Sequence, residues 1–295
     1  MGLRSTKIKS NQLELPIERR QSPDRNSAQG GRSFYFFDFD DNVVFLPTPL
    51  YLFHKVNGSE KAISTREFAA VAESVGHSGT WKDYEIRPDP QTGSFRRFRH
   101  RELNLIDKIL RRKQPLHEDL LQILKRPHFE WRGPSWDFFW HAVHNGRPLS
   151  IITARGHHPN TIKEAIGLLH RAGHLSHTPN FLSIYPVSHL GIRTALGDKE
   201  HKWSTGKLKT AAIKESVKAA FEVYGQNPAH RFGMSDDDPA NVRVIIEAMR
   251  QLKKEYPENS FFVVDTQGGN LFKQEVFVDS VKTPEPLSAE QLNLF

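Results

Sequence analysis

The aromatic run Phe34-Tyr35-Phe36-Phe37, followed at once by Asp38 and Asp40, constrains this chain more than any other stretch. Four consecutive aromatics belong to a strand covered on both faces, so a place near the centre of a parallel sheet is expected. Asp38 and Asp40 fall two residues apart at the strand's carboxyl end and would point the same way along extended backbone. That edge is where open α/β sheets put their ligand sites. Two carboxylates there repel and desolvate one another, and a hard divalent cation would compensate both.

The pattern recurs twice. Pro148 to Ile152 is a short apolar run that stops at Thr153, and His230 to Met234 leads into Ser235-Asp236-Asp237-Asp238. Further along from Thr153, helical and strand-like segments alternate: helix 160–172, strand 181–187, helix 207–224, strand 230–234, helix 240–256, strand 260–265. Such alternation predicts an α/β fold, a Rossmann-like parallel sheet flanked by helices. Residues 33–46 and 148–278 would form this core. Residues 47–147 are too many for a simple crossover and are expected to form an inserted cap after the first strand. Helices are expected there over 65–75 and about 102–125. A further helix over 135–144, with Ser135 as its N-cap, would lead back to the core. Residues 1–32 and 279–295 are polar and read as disordered terminal tails.

The order of these elements resembles the haloacid dehalogenase (HAD) superfamily of phosphohydrolases. Its first motif, DxDx(T/V), matches Asp38-Phe39-Asp40-Asp41-Asn42, with Asn42 where the family usually has Thr or Val. Its second matches Thr153. Its third, a lysine near a helix start, has two contenders, Lys209 and Lys207. Lys209 is preferred because it opens the apolar pattern Leu208, Ala212, Ile213, Val217. Its fourth, an acidic cluster after a strand, matches Asp236 and Asp237. The resemblance implies a Mg2+-dependent phosphatase, and the departure at Asn42 implies different loop packing and some loss of activity.

The chemistry also follows from the residue types. Asp38, ending its strand, is the natural nucleophile for an aspartyl-phosphate route, which splits one displacement into two. Asp40 would protonate the leaving oxygen and then deprotonate water, a role that asks its neighbours to favour the protonated form. Mg2+ would be held by Asp38, the backbone carbonyl of Asp40 and Asp236, with Asp237 beside it as a further ligand or support. Thr153 and Lys209 would hold the remaining phosphoryl oxygens. Taken alone, Asp238 before Pro239 reads as a helix cap, and Asp41-Asn42 as a turn. His170, His174 and His177 straddle Gly173 and are expected to be separate surface side chains, while His157 and His158 read as a solvated loop.

Composition fits a cytoplasmic protein away from the membrane. The 295 residues contain no cysteine, which excludes disulfides and thiolate metal sites. No apolar run reaches membrane-spanning length, and no signal-peptide core is expected at the start. The net charge of +7 would draw phosphate-rich partners. Arg96, Arg97 and Arg99 alternate with Phe95 and Phe98, and two readings stay open: a nucleic-acid groove, or core anchors with a solvated face.

The tails add a second resemblance. Gln291-Leu292-Asn-Leu294-Phe295 is similar to the QLxLF peptide by which bacterial replication and repair proteins bind the DNA polymerase sliding clamp. Gln12-Leu13-Glu-Leu15-Pro is similar to its QLxLP variant. Two functions of different class follow. One is a phosphomonoester hydrolase acting on a nucleotide or nucleic-acid end and recruited to the clamp. The other is a weakly active or inactive HAD-fold adaptor that binds the clamp or DNA.

Overall fold

A computed structural model describes residues 20–110 and 112–286. Its centre is the aromatic run. Strand β1 (Ser33–Phe37) is buried along its whole length, and alternate side chains serve two cores. Tyr35 and Phe37 enter one with Phe138, Phe139, Ile151 and Ile162. Phe34 and Phe36 enter the other with Leu208, Ile213, Phe232 and Met234. A strand with two buried faces has this content because neither face may be polar.

In chain order there follow β2 (Leu50–His54), β3 (Glu60–Ile63), β4 (Tyr84–Glu85), β5 (Leu149–Thr153), β6 (Phe181–Pro186), β7 (Arg231–Asp236), β8 (Ser260–Asp265), β9 (Phe272–Val276) and β10 (Glu285–Pro286). The helices are α1 (Thr65–Val71), α2 (Leu105–Ile109), α3 (Pro115–Ile123), α4 (Trp136–His144), α5 (Pro159–Arg171), α6 (Leu190–Ala195), α7 (Thr205–Tyr224) and α8 (Pro239–Glu255). Seven strands form one sheet in the order β10-β9-β8-β7-β1-β5-β6. Pairing is parallel from β8 to β6 and antiparallel at β9 and β10. The chain winds from β1 outward through β5 and β6, then returns to β7 on the other side of β1. The switch point therefore lies between β1 and β7, and the crevice beyond their carboxyl ends is the ligand position for such a sheet.

The segment between β1 and β5 holds a separate three-stranded antiparallel sheet, β3-β2-β4. Its own small core is Leu50, Leu52, Ile63 and Val75. The rest of this segment behaves differently. Leu116, Leu120 and Ile123 of α3 and Trp136, Phe138 and Phe139 of α4 join the main core. The helix expected over about 102–125 is two helices, because Gln114-Pro115 restarts the chain: proline fixes φ and suits the first helical turn. The helix expected over 65–75 tightens into a 3-10 turn after Val71.

Part of each expected tail lies among the described residues. Within residues 20–32, Asp24 is buried, accepts a hydrogen bond from the Ser33 amide and pairs with Arg147 at 3.1 Å. A docked carboxylate with two partners fixes that stretch against the sheet. At the other end Glu285–Pro286 pairs with Lys273 and Phe272. Among the described residues no helix is long and apolar enough to cross a membrane.

Candidate active site

β1 and β7 run in register from Ser33 beside Arg231 to Phe37 beside Ser235. The Asp38 amide continues the ladder by donating to the Ser235 carbonyl at 3.1 Å, which brings Asp38 alongside Asp236. Asp38, Asp236 and Asp237 each present a carboxylate oxygen within 4.8 Å of the others, and this cluster could hold a metal ion. An all-oxygen donor set of carboxylates suits a hard cation such as Mg2+.

Lys209 supplies the counter-charge. Ser204 caps α7 by accepting from the Lys207 amide, and the helix then buries Leu208, Lys209, Ala212 and Ile213 on one face. That face delivers the Lys209 ammonium 2.7 Å from Asp236 Oδ2 and 3.5 Å from Asp38 Oδ1. Lys207 stays exposed, its ammonium 3.8 Å from the centre of the Trp203 ring. The structure thus brings Lys209, and not Lys207, to the carboxylates.

One ammonium does not balance two buried acids and a half-buried third. Burial lowers Lys209, but Asp38 and Asp236 outweigh it and leave the ammonium raised. Burial, relieved in part by Lys209 and reinforced by Asp236 and Asp237, raises Asp38 well above the carboxylate range. Asp237 is pushed up to about 7 by burial and by Asp236. Such crowding is what a bound divalent cation relieves. Asp236 is fixed by three donors: Lys209, the Asp238 amide at 3.1 Å and Asn241 Nδ2 at 3.1 Å. Asp238 caps α8 by accepting from the Ala240 amide, the role its place before Pro239 suggested.

Asp40 faces a different partner. Its carboxylate is forked by Arg155, with Nε at 2.8 Å from Oδ2 and Nη2 at 2.6 Å from Oδ1. Thr153 Oγ1 donates to the same Oδ2 at 3.3 Å. Donors thus reach both oxygens of Asp40. Arg155 also donates to Thr48 Oγ1 at 2.7 Å, Thr48 donates to Asp119 Oδ2, and Asp119 pairs with Arg97. Arg155 was not singled out from the sequence, although it stands two residues after Thr153, and Asn241 was likewise missed.

Asn42 is the larger surprise. It is fully buried, and its amide nitrogen donates to the Asp38 carbonyl, the Ser235 carbonyl and Ser235 Oγ. Its oxygen accepts from Ser135 Oγ at 2.8 Å and Thr266 Oγ1 at 2.9 Å. The residue that departs from the DxDx(T/V) pattern therefore ties the ends of β1, β7 and β8 to α4. Ser135 precedes α4 as expected, but its hydroxyl serves Asn42 rather than the helix. Asp41 beside it adopts a left-handed φ of 58°, which aspartate tolerates. Its carboxylate accepts from Thr65 Oγ1 at 2.6 Å, so α1 of the small unit touches the loop after β1.

The remaining candidates separate. Arg96 pairs with Glu60 at 2.6 Å and lies over the Tyr51 ring. Arg97 pairs with Glu118 and Asp119. Arg99 donates to the Ser188 carbonyl at 2.7 Å. Each arginine is committed within the chain, and Phe95 and Phe98 pack against the small core. Phe95 and Phe98 are thus core anchors, as one of the two readings had it, and the three arginines are half-buried. His157 is fully buried, not part of a solvated loop, and neither ring nitrogen finds a partner among the described residues. Burial and the Arg155 charge hold its imidazole neutral. His158 is exposed and caps α5. His174 leans on Trp131 and shares no metal-ligating group with His170 or His177 among the described residues. Gln12, Leu13, Leu15, Gln291, Leu292, Leu294 and Phe295 lie outside the described residues.

No protein-family model, no curated protein and no solved structure matches the chain.

Proposed function

We propose that this chain is a Mg2+-dependent phosphomonoester hydrolase of the HAD type, working through phosphorylated Asp38. The observation that carries the reading is the Asp38, Asp236, Asp237 cluster, bridged by buried Lys209, at the switch point between β1 and β7. Asp38, Asp236 and Asp237 would hold the ion, which when bound supplies positive charge against both the carboxylates and the phosphate.

Asp38 attacks phosphorus, and the bond from phosphorus to the ester oxygen breaks as the alcohol leaves. Water then attacks the phosphoryl-aspartate, releasing phosphate and restoring the carboxylate. Lys209 and Thr153 neutralise and orient phosphoryl oxygens during both steps. Asp40 carries the proton, to the leaving oxygen first and from water second. The Arg155 fork fixes the direction of that carboxyl group and must release one oxygen when the proton arrives. The small unit between β1 and β5 acts as a cap: Thr65 reaches Asp41, and the Phe98 carbonyl accepts from the Gly156 amide beside Arg155. A lid so placed selects substrates by what it admits.

The tail peptides belong to the same proposal as an address on the sliding clamp. Two tethered peptides facing repeated pockets raise effective affinity without new contacts.

The test is release of inorganic phosphate from an aryl phosphate with and without Mg2+. Wild type should turn over only with the ion, and Asp38→Asn should lose at least a hundredfold in rate. Equal rates in the two proteins would remove the proposal.

A further inference from the structure

The face of the sheet that carries α4 and α5 is covered by those helices over β1, β5 and β6. Beyond β7 the same face opens into a cavity of about 480 Å3, lined from four separate pieces of chain. Arg25 comes from the segment before β1, Arg231 starts β7, Lys273 lies on β9 and Lys282 on the turn before β10. This cavity is remote in the fold from the carboxyl-end cluster: Arg231 is the first residue of the strand whose last residue is Asp236.

Its charge balance is uneven. Two acids line it, Glu275 and Glu285, and Glu285 is paired with Lys282 at 2.7 Å. Four cations and two carboxylates therefore line the cavity, and both carboxylates act on Lys273 as well. Arg231 is only 7% exposed, and no carboxylate lies within ion-pair distance of it among the described residues. Its guanidinium sits 4.7 Å from the centre of the Phe262 ring, and the Lys273 ammonium sits 4.2 Å from the same centre. Two cations held against one ring repel each other, and a buried arginine so placed calls for an anion.

We infer that this cavity is a binding site for a phosphate-bearing anion, distinct from the carboxylate cluster, with Arg231 and Lys273 as its main ligands. Its volume admits a phosphate together with the group attached to it. The electrostatics of Lys273 agree. Burial, with Arg231 and Arg25, pulls its ammonium down to about 7, against the opposing pull of Glu275 and Glu285. An anion entering the cavity favours the protonated ammonium, so affinity rises as the pH falls from 8 to 6.

The experiment is calorimetric titration of the full chain in EDTA with three probes. These are inorganic pyrophosphate, a short single-stranded oligonucleotide with a 5′-phosphate, and the same oligonucleotide without it. Pyrophosphate or the phosphorylated oligonucleotide should bind at least tenfold more tightly to wild type than to Lys273→Gln, and more tightly at pH 6 than at pH 8. The double variant Arg25→Gln with Lys282→Gln, both exposed positions, should weaken binding several-fold without disturbing the fold. A preference for pyrophosphate assigns the site to small phosphorylated ligands, and a preference for the phosphorylated end assigns it to nucleic acid. Binding of no probe, or affinities unchanged in both variants, would overturn the assignment.

Discussion

At the scale of single residues, the site depends on side chains that answer one another. Asn42 is the plainest case. Its one amide group meets five partners from three strand ends and α4. Asn42→Ala leaves the hydroxyls of Ser135, Ser235 and Thr266 buried without it, and unmet buried polar groups cost about 1–3 kcal/mol each. Asn42→Ala should therefore lower stability by about 2–4 kcal/mol, read as a shift of the urea midpoint at constant slope; a shift under a few tenths of a molar would show the network to be dispensable. The acids of this site were legible in the sequence because each ends a strand-like run. Asn42 was legible only as a departure from a motif, since its partners lie up to 224 residues away. Arg155 was hidden for a similar reason: its match to Asp40 spans 115 residues, and nothing local marks it.

At the scale of elements, α4 is clamped onto the loop after β1. Gly133 donates to the Val43 carbonyl at 2.9 Å, and the Ser135 amide donates to the Asn42 carbonyl at 2.8 Å. A Cβ on Gly133 would meet the Asn42 carbonyl oxygen at 2.4 Å and two further backbone atoms within 2.9 Å. Backbone cannot rotate away as a side chain can, so Gly133→Ala should cost about 1–3 kcal/mol. It should also slow the proposed phosphatase more than an equally destabilising change elsewhere, because the same loop carries Asp38 and Asp40. Parallel melting and rate measurements on Gly133→Ala and Leu252→Ala would check this; equal rate losses at equal stability would contradict it. The parallel strands and long helices could be read from sequence within a residue or two, because both cores impose regular apolar spacing. β3 and β9 could not. β3 is exposed along Glu60–Ala62, and β9 carries Lys273, Gln274 and Glu275, so neither shows an apolar stripe. Asp24 likewise gave no local sign that the segment before β1 docks.

At the scale of the whole molecule, two sets of groups pull stability in opposite directions with pH. His141 is held down to about 4 by burial and by Arg147 and His144, and buried His157 is likewise held well below the ordinary imidazole value. An imidazole lowered in the fold contributes stability that is complete above its unfolded value of 6.5 and is lost as the pH falls toward 4. For His141 the full span is about 3 kcal/mol. Asp237 works the other way: raised to about 7, its contribution is complete at low pH and is lost as the pH climbs from 3.8 to 7. A divalent cation at the carboxylates relieves the second effect and leaves the first. His141→Gln should therefore flatten the acid side of the stability profile both with and without Mg2+, as followed by urea melts from pH 4 to 7; an unchanged slope would contradict the assignment. In the proposed reaction Asp38 is the residue that becomes phosphorylated, and the most direct test is to stop the reaction with acid and map the phosphoryl group by mass spectrometry. The account predicts one phosphoryl group on the peptide that carries Asp38, formed with Mg2+ and absent in Asp38→Asn. Phosphate released with no such adduct, or an adduct on another residue, would contradict it.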